Sequence, residues 1–76
     1  MLEKYNKCFM EIFGVGEELL NEEFKFGTGK WNSFAHMELI ANLEDQFEIL
    51  LSTDDITHFR NYENGKKILE KYGVAI

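Results

Sequence analysis

Met37, Ile40, Leu43 and Phe47 recur at steps of three, three and four, which lays them along one face of an α-helix. Leu39 flanks that stripe, Glu38, Asp45 and Glu48 fall away from it, and Glu44 borders it. The spacing predicts a helix from Asn32 or Ser33 to about Phe47 or Glu48, with this stripe buried. A second run has the same character: Leu2, Tyr5, Phe9, Ile12 and Phe13 share one helical face, and Gly14 follows as a helix terminator. Strand-like alternation persists nowhere and the chain has no proline, so the pattern points to packed helices.

The remaining segments fill in that frame. Residues 15–31 are read as a long loop pinned by Leu19, Leu20, Phe24 and Phe26, with a short helix over Glu17–Phe24 as the alternative. Gly27-Thr28-Gly29 marks a turn within it. A structureless stretch of this length is uncommon in a compact domain and usually serves a function. Ser52 followed by Thr53, Asp54 and Asp55 reads as an N-cap with acids in the first turn, opening a short helix through about Phe59. A last helix is expected from Tyr62 to Tyr72, burying Ile68, Leu69 and Tyr72 and ending at Gly73; Gly65 weakens it by up to about 1 kcal/mol relative to alanine. The expected fold is all-α: one domain over residues 1–76, a four-helix bundle of three longer helices and a short one, with a long loop between helices one and two.

With 76 residues there is no room for both a large enclosed catalytic cavity and the core to support it. The one cysteine, Cys8, excludes an internal disulfide and sits among Phe9, Ile12 and Phe13 as a core thiol. The apolar runs are short and interrupted by charge, and the N-terminus has no signal-peptide core, so a soluble cytoplasmic protein without a membrane span is expected. The formal net charge is −6, and residues 33–63 carry all of it: Glu38, Glu44, Asp45, Glu48, Asp54, Asp55 and Glu63 stand there against Arg60 alone. Such a field repels nucleic acid. It would attract partners with Lys/Arg patches, or serve as a solubilising surface.

Candidate chemistry is sparse and centres on Ser33. Serine is a favoured N-cap, but Asn32 beside it caps equally well, which leaves one hydroxyl free. A hydroxyl at a helix N-terminus is well placed to carry a phosphodiester, because unpaired backbone N–H groups and the helix dipole favour an anion there. A hydrolase is not expected: His36 follows three residues on, no acid is placed to orient it, and no glycine-rich elbow surrounds the serine. Metal-ligand spacing is absent from His36 and His58, and Asp54-Asp55 lacks the calcium-loop pattern. Both histidines are read as surface or boundary residues, and Trp31 as a packing anchor for the loop.

Trp31-Asn32-Ser33-Phe34-Ala35-His36-Met37-Glu38-Leu39-Ile40, followed by Leu43-Glu44-Asp45-Gln46-Phe47, resembles the carrier motif of the acyl carrier protein family. The family's signature is Asp-Ser-Leu at the start of its second helix, and the likeness runs over the whole chain, from apolar first helix to final amphipathic helix. The resemblance implies a non-enzymatic, monomeric, free-standing carrier. A phosphopantetheinyl transferase would attach 4′-phosphopantetheine from coenzyme A to Ser33, and the arm's thiol would carry acyl groups as thioesters. It implies a recognition face of Asn32, Glu38, Glu44, Asp45 and Glu48, read by the transferase, by an acyl- or aminoacyl-activating ligase and by downstream enzymes with basic patches. It also implies an acyl-chain lining of Met37, Ile40 and Leu43. Asn32 stands where the family has Asp, and Phe34 where it has Leu, as in D-alanyl and some accessory carriers. An accessory pathway is therefore expected, with an aminoacyl or peptidyl carrier, or an unmodified interaction module, as alternatives.

Overall fold

The computed structural model describes residues 1–76 and contains four α-helices: α1 (Leu2–Phe13), α2 (Ser33–Phe47), α3 (Thr53–His58) and α4 (Tyr62–Glu70). The all-α expectation holds, with α3 as the short helix. Each boundary has a local cause. Gly14 ends α1 in the left-handed region, φ 65°, with its N–H on the Met10 carbonyl. Glu48 ends α2 in the same conformation, φ 56°, its N–H on the Glu44 carbonyl. At the start of α4, Asn61 and Asn64 cap each other reciprocally: the Asn61 side chain accepts from the Asn64 N–H, and the Asn64 side chain accepts from the Asn61 N–H. α4 stops at Glu70, two residues short of the expected Tyr72, and a turn carries the chain to Gly73 at φ 85°.

The connection from α1 to α2 is a long loop, as expected, and its only helical element is a three-residue 3₁₀ turn at Glu17–Leu19. Its far half is stitched to the α3–α4 junction by an antiparallel bridge between Lys25 and Asn61. Phe26 N–H donates to the Arg60 carbonyl at 2.8 Å, and Tyr62 N–H to the Phe24 carbonyl at 2.9 Å. The Gly27-Thr28-Gly29 turn then reverses the chain and delivers Trp31 to the core, with Gly27 N–H on the Trp31 carbonyl.

Two kinds of packing fill the bundle. Beneath the start of α2 the core is aromatic: Phe9 lies edge-on to Trp31, Phe24 and Tyr62, while Phe13 and Phe59 flank the indole. Such pairs add about 0.5–1.5 kcal/mol each beyond area burial. The aliphatic part of the core is made by Leu39, Ile40, Leu43, Leu51, Ile68, Leu69 and Val74. Tyr5 is fully buried and its hydroxyl donates to the Tyr62 carbonyl at 2.7 Å; burial, with Tyr62 nearby, pushes its ionisation well above the ordinary phenol range. Cys8 is buried as expected, and burial, then Glu11, pushes its thiol up to about 11, so it stays protonated and unreactive near neutral pH.

Three expectations about burial are corrected. Met37 is not part of the buried stripe: it is 53% exposed, and the stripe consists of Ala35, His36, Leu39, Ile40 and Leu43 with Phe47 half-buried. His36 is therefore a core residue, not a surface one. Tyr72 is only half-buried, because its hydroxyl is drawn to the start of α3. Gly65 has a packing role that outweighs its low helix propensity, since a Cβ there would overlap the Phe59 ring and the Tyr5 hydroxyl. No helix is long and apolar enough to cross a membrane.

Candidate functional site

The start of α2 assigns its capping and its free hydroxyl to different residues. Asn32 has extended backbone angles, φ −109° and ψ −176°, and its side-chain oxygen accepts from the Ala35 N–H at 2.9 Å. Asn32 is thus the cap, and Ser33 is the first helical residue, with its side chain exposed and outside the capping bonds. Since each residue advances about 100° around the axis, Ser33, Phe34, Met37, Glu38 and Asp45 share one arc of roughly 140°. All five are exposed, Phe34 to 76%.

Of the other acids, Glu48 is exposed just past the helix end, and Glu44 is half-buried with one carboxylate oxygen accepting the Leu51 N–H at 2.9 Å. Glu44 therefore helps to hold the α2–α3 connection, and only part of its carboxylate faces outward. The three apolar positions implied as acyl lining separate: Ile40 and Leu43 are fully buried in the core, and Met37 stands outside beside Ser33.

A cleft of about 240 Å³ opens beside Ser33 between α2 and α3. Its walls include Met37, Ile56, Thr57, Phe26 and Arg60, and its floor is His36. The Arg60 guanidinium lies 4.4 Å over the Phe26 ring, so the bridge between loop and α3–α4 junction fixes one wall. His36 is held from both sides. The Trp31 indole donates to Nδ1 at 3.0 Å, and Nε2 lies 2.9 Å from the Ile56 carbonyl. An indole N–H can only donate, so Nδ1 is the acceptor and the ring is the Nε2–H tautomer, donating to Ile56. Both ring nitrogens are thereby used, and neither is free to take a proton from Ser33. His58 is exposed near Asp54 at the other end of α3 and does not join the site.

The residues fit a phosphodiester on Ser33. The hydroxyl is accessible, the cap does not consume it, and the adjoining cleft has both polar and apolar walls. Sequence reasoning missed His36 and the cleft-lining residues Phe26, Ile56, Thr57 and Arg60. The signal for His36 was present, because positions 36, 39, 40 and 43 match the helical face template once histidine is counted as apolar. The cleft residues come together only through the loop bridge, for which the sequence has no local signal.

Compared with protein-family models, curated proteins and solved structures, the chain matches none.

Proposed function

We propose that this chain is a free-standing carrier protein that bears 4′-phosphopantetheine on Ser33 and presents thioester-linked acyl groups to biosynthetic enzymes of an accessory pathway. The observation that carries this reading is the division of labour at the start of α2, where Asn32 caps and Ser33 is left exposed. In the modification, Ser33 Oγ bonds to the phosphorus of coenzyme A's pantetheine phosphate. The pyrophosphate bond breaks, adenosine 3′,5′-bisphosphate leaves, and the hydroxyl proton passes to the transferase. When bound, the group supplies a terminal thiol for thioester exchange. The chain's own part is to hold Oγ outward, to flank it with Phe34 and Met37, and to offer Glu38, Asp45 and Glu48 to basic surfaces. Docking of that kind is fast, transient and weakened by salt.

Intact-mass measurement after incubation with coenzyme A and a broad-specificity phosphopantetheinyl transferase tests the reading. One phosphopantetheine is expected on the wild type and none on Ser33→Ala; an unmodified wild type, or an equal adduct on the variant, sinks it.

The exposure of Phe34 and Met37 among acids favours one second reading, an interaction module that works without modification. In that case Ser33→Ala keeps the chain's cellular role, whereas a carrier loses it.

A further inference from the structure

We propose that His36 is a latch closing the seam between α2 and α3, so that the load carried at Ser33 is a short acyl group, amino acids included, held in the outer cleft. This inference rests on the carrier reading of Ser33. His36 lies about one turn along α2 from Ser33, on the floor of the cleft, where a chain hanging from the serine would have to pass to enter the bundle. Its Nε2–H crosses to the Ile56 carbonyl on α3, and its Nδ1 takes the Trp31 indole proton. Swinging the ring aside leaves a donor and an acceptor unpaired in apolar surroundings, so the closed position is strongly favoured. The ring also lies side by side with the Trp31 indole, planes 26° apart and centroids 6.0 Å apart, and at steep angles to the Phe26 and Phe59 rings.

Behind the latch there is no space waiting. Leu39, Ile40 and Leu43 are fully buried, and none of them lines any cavity of the molecule. The outer cleft, by contrast, is open space of about 240 Å³ directly beside Ser33. Its walls mix Met37 and Ile56 with Thr57 and Arg60, which suits a small, partly polar group better than a long hydrocarbon.

Methyl-labelled chain, loaded from acetyl- or octanoyl-coenzyme A by the same transferase, puts this to the test. Intact mass first establishes the load, and methyl NMR spectra then locate it. Both loads are expected to move the Met37 and Ile56 signals and to leave Leu39, Ile40 and Leu43 unshifted. In His36→Ala, the octanoyl load is expected to shift those three core residues as well. His36→Val, which removes the ring and both its hydrogen bonds but keeps an apolar side chain, is the second variant should His36→Ala fail to fold. Core shifts in the octanoyl-loaded wild type overturn the proposal whether or not either variant folds. A folded variant whose core stays silent overturns the latch. Failure to load at all is a different result: it removes the carrier reading, and this inference with it.

Discussion

Ser33 and Ser52 both stand at helix starts, one position apart in register, and the fold uses them in opposite ways. Ser52 is the N-cap of α3, and its Oγ accepts from the Asp55 N–H at 3.1 Å. Its own N–H donates to the Tyr72 hydroxyl at 2.9 Å, that hydroxyl donates to the Asp55 carboxylate, and Lys71 Nζ sits 2.6 Å from the other carboxylate oxygen. The Tyr72 and Lys71 bonds tie the turn after α4 to the start of α3. At α2 the cap falls on Asn32, and Ser33, one step inside, is left outside the bonding. A shift of one residue therefore decides whether a serine stabilises the fold or is available to chemistry. A cap is worth about 0.5–2 kcal/mol, while an exposed first-turn hydroxyl contributes within about 0.5 kcal/mol.

The largest effect that can break this comparison is on modification. Ser33→Ala is expected to abolish the phosphopantetheine adduct and leave the unfolding midpoint almost unchanged, whereas Ser52→Ala keeps the adduct; intact mass and thermal melts of the two variants decide it. Next comes acid. Hydrogen bonds from Lys71 and then Tyr72 hold the Asp55 carboxyl below the ordinary carboxylate range, and its bond to Asp55 holds Lys71 above the ordinary lysine range. The Asp55 contribution is complete above about pH 4 and is lost as the pH falls through its depressed value. The Lys71 contribution is lost only as the pH rises through its own raised value, far on the alkaline side. Wild type is thus expected to lose stability on acidification more steeply than Asp55→Asn, read from melting temperatures between neutral pH and pH 2.

Smaller effects sharpen the contrast. Ser52→Ala is expected to lower unfolding free energy by about 1 kcal/mol in denaturant titrations, against almost nothing for Ser33→Ala. Asn32→Asp keeps the cap and puts a negative charge at the positive end of α2, for a gain of about 0.3–1 kcal/mol at low salt. It also places before Ser33 the residue of the motif that this segment resembles, so on the proposed carrier reading faster modification by the transferase is expected, read as the initial rate of adduct formation.

The helices were legible because their boundaries have local causes. Gly14 after α1 and Ser52 before α3 act where the sequence places them. The burial pattern of α2 was legible only to within about one residue. Periodicity ranks histidine as polar, which moves the stripe from His36 to Met37, and only the Trp31 and Ile56 partners make a buried imidazole tolerable. Gly65 was misread for a related reason, since propensity describes the helix and the Tyr5 and Phe59 contacts belong to the tertiary fold. At the start of α2, capping chemistry left Asn32 and Ser33 as alternatives, and the cap falls on Asn32. The cleft could not, because its wall depends on residues 24–26 meeting residues 60–62 across the chain.

Glu48 ends α2 with two features that work against the helix. An L-residue in the left-handed region carries a backbone penalty of roughly 1–2 kcal/mol that glycine avoids. A carboxylate at that point also faces the negative pole of the helix dipole. The Glu48 side chain is exposed, with no hydrogen bond or ion pair to offset either effect. Glycine would serve the helix better on both counts. The end of α2 is thus a place where the chain holds helix stability below what a single substitution would give.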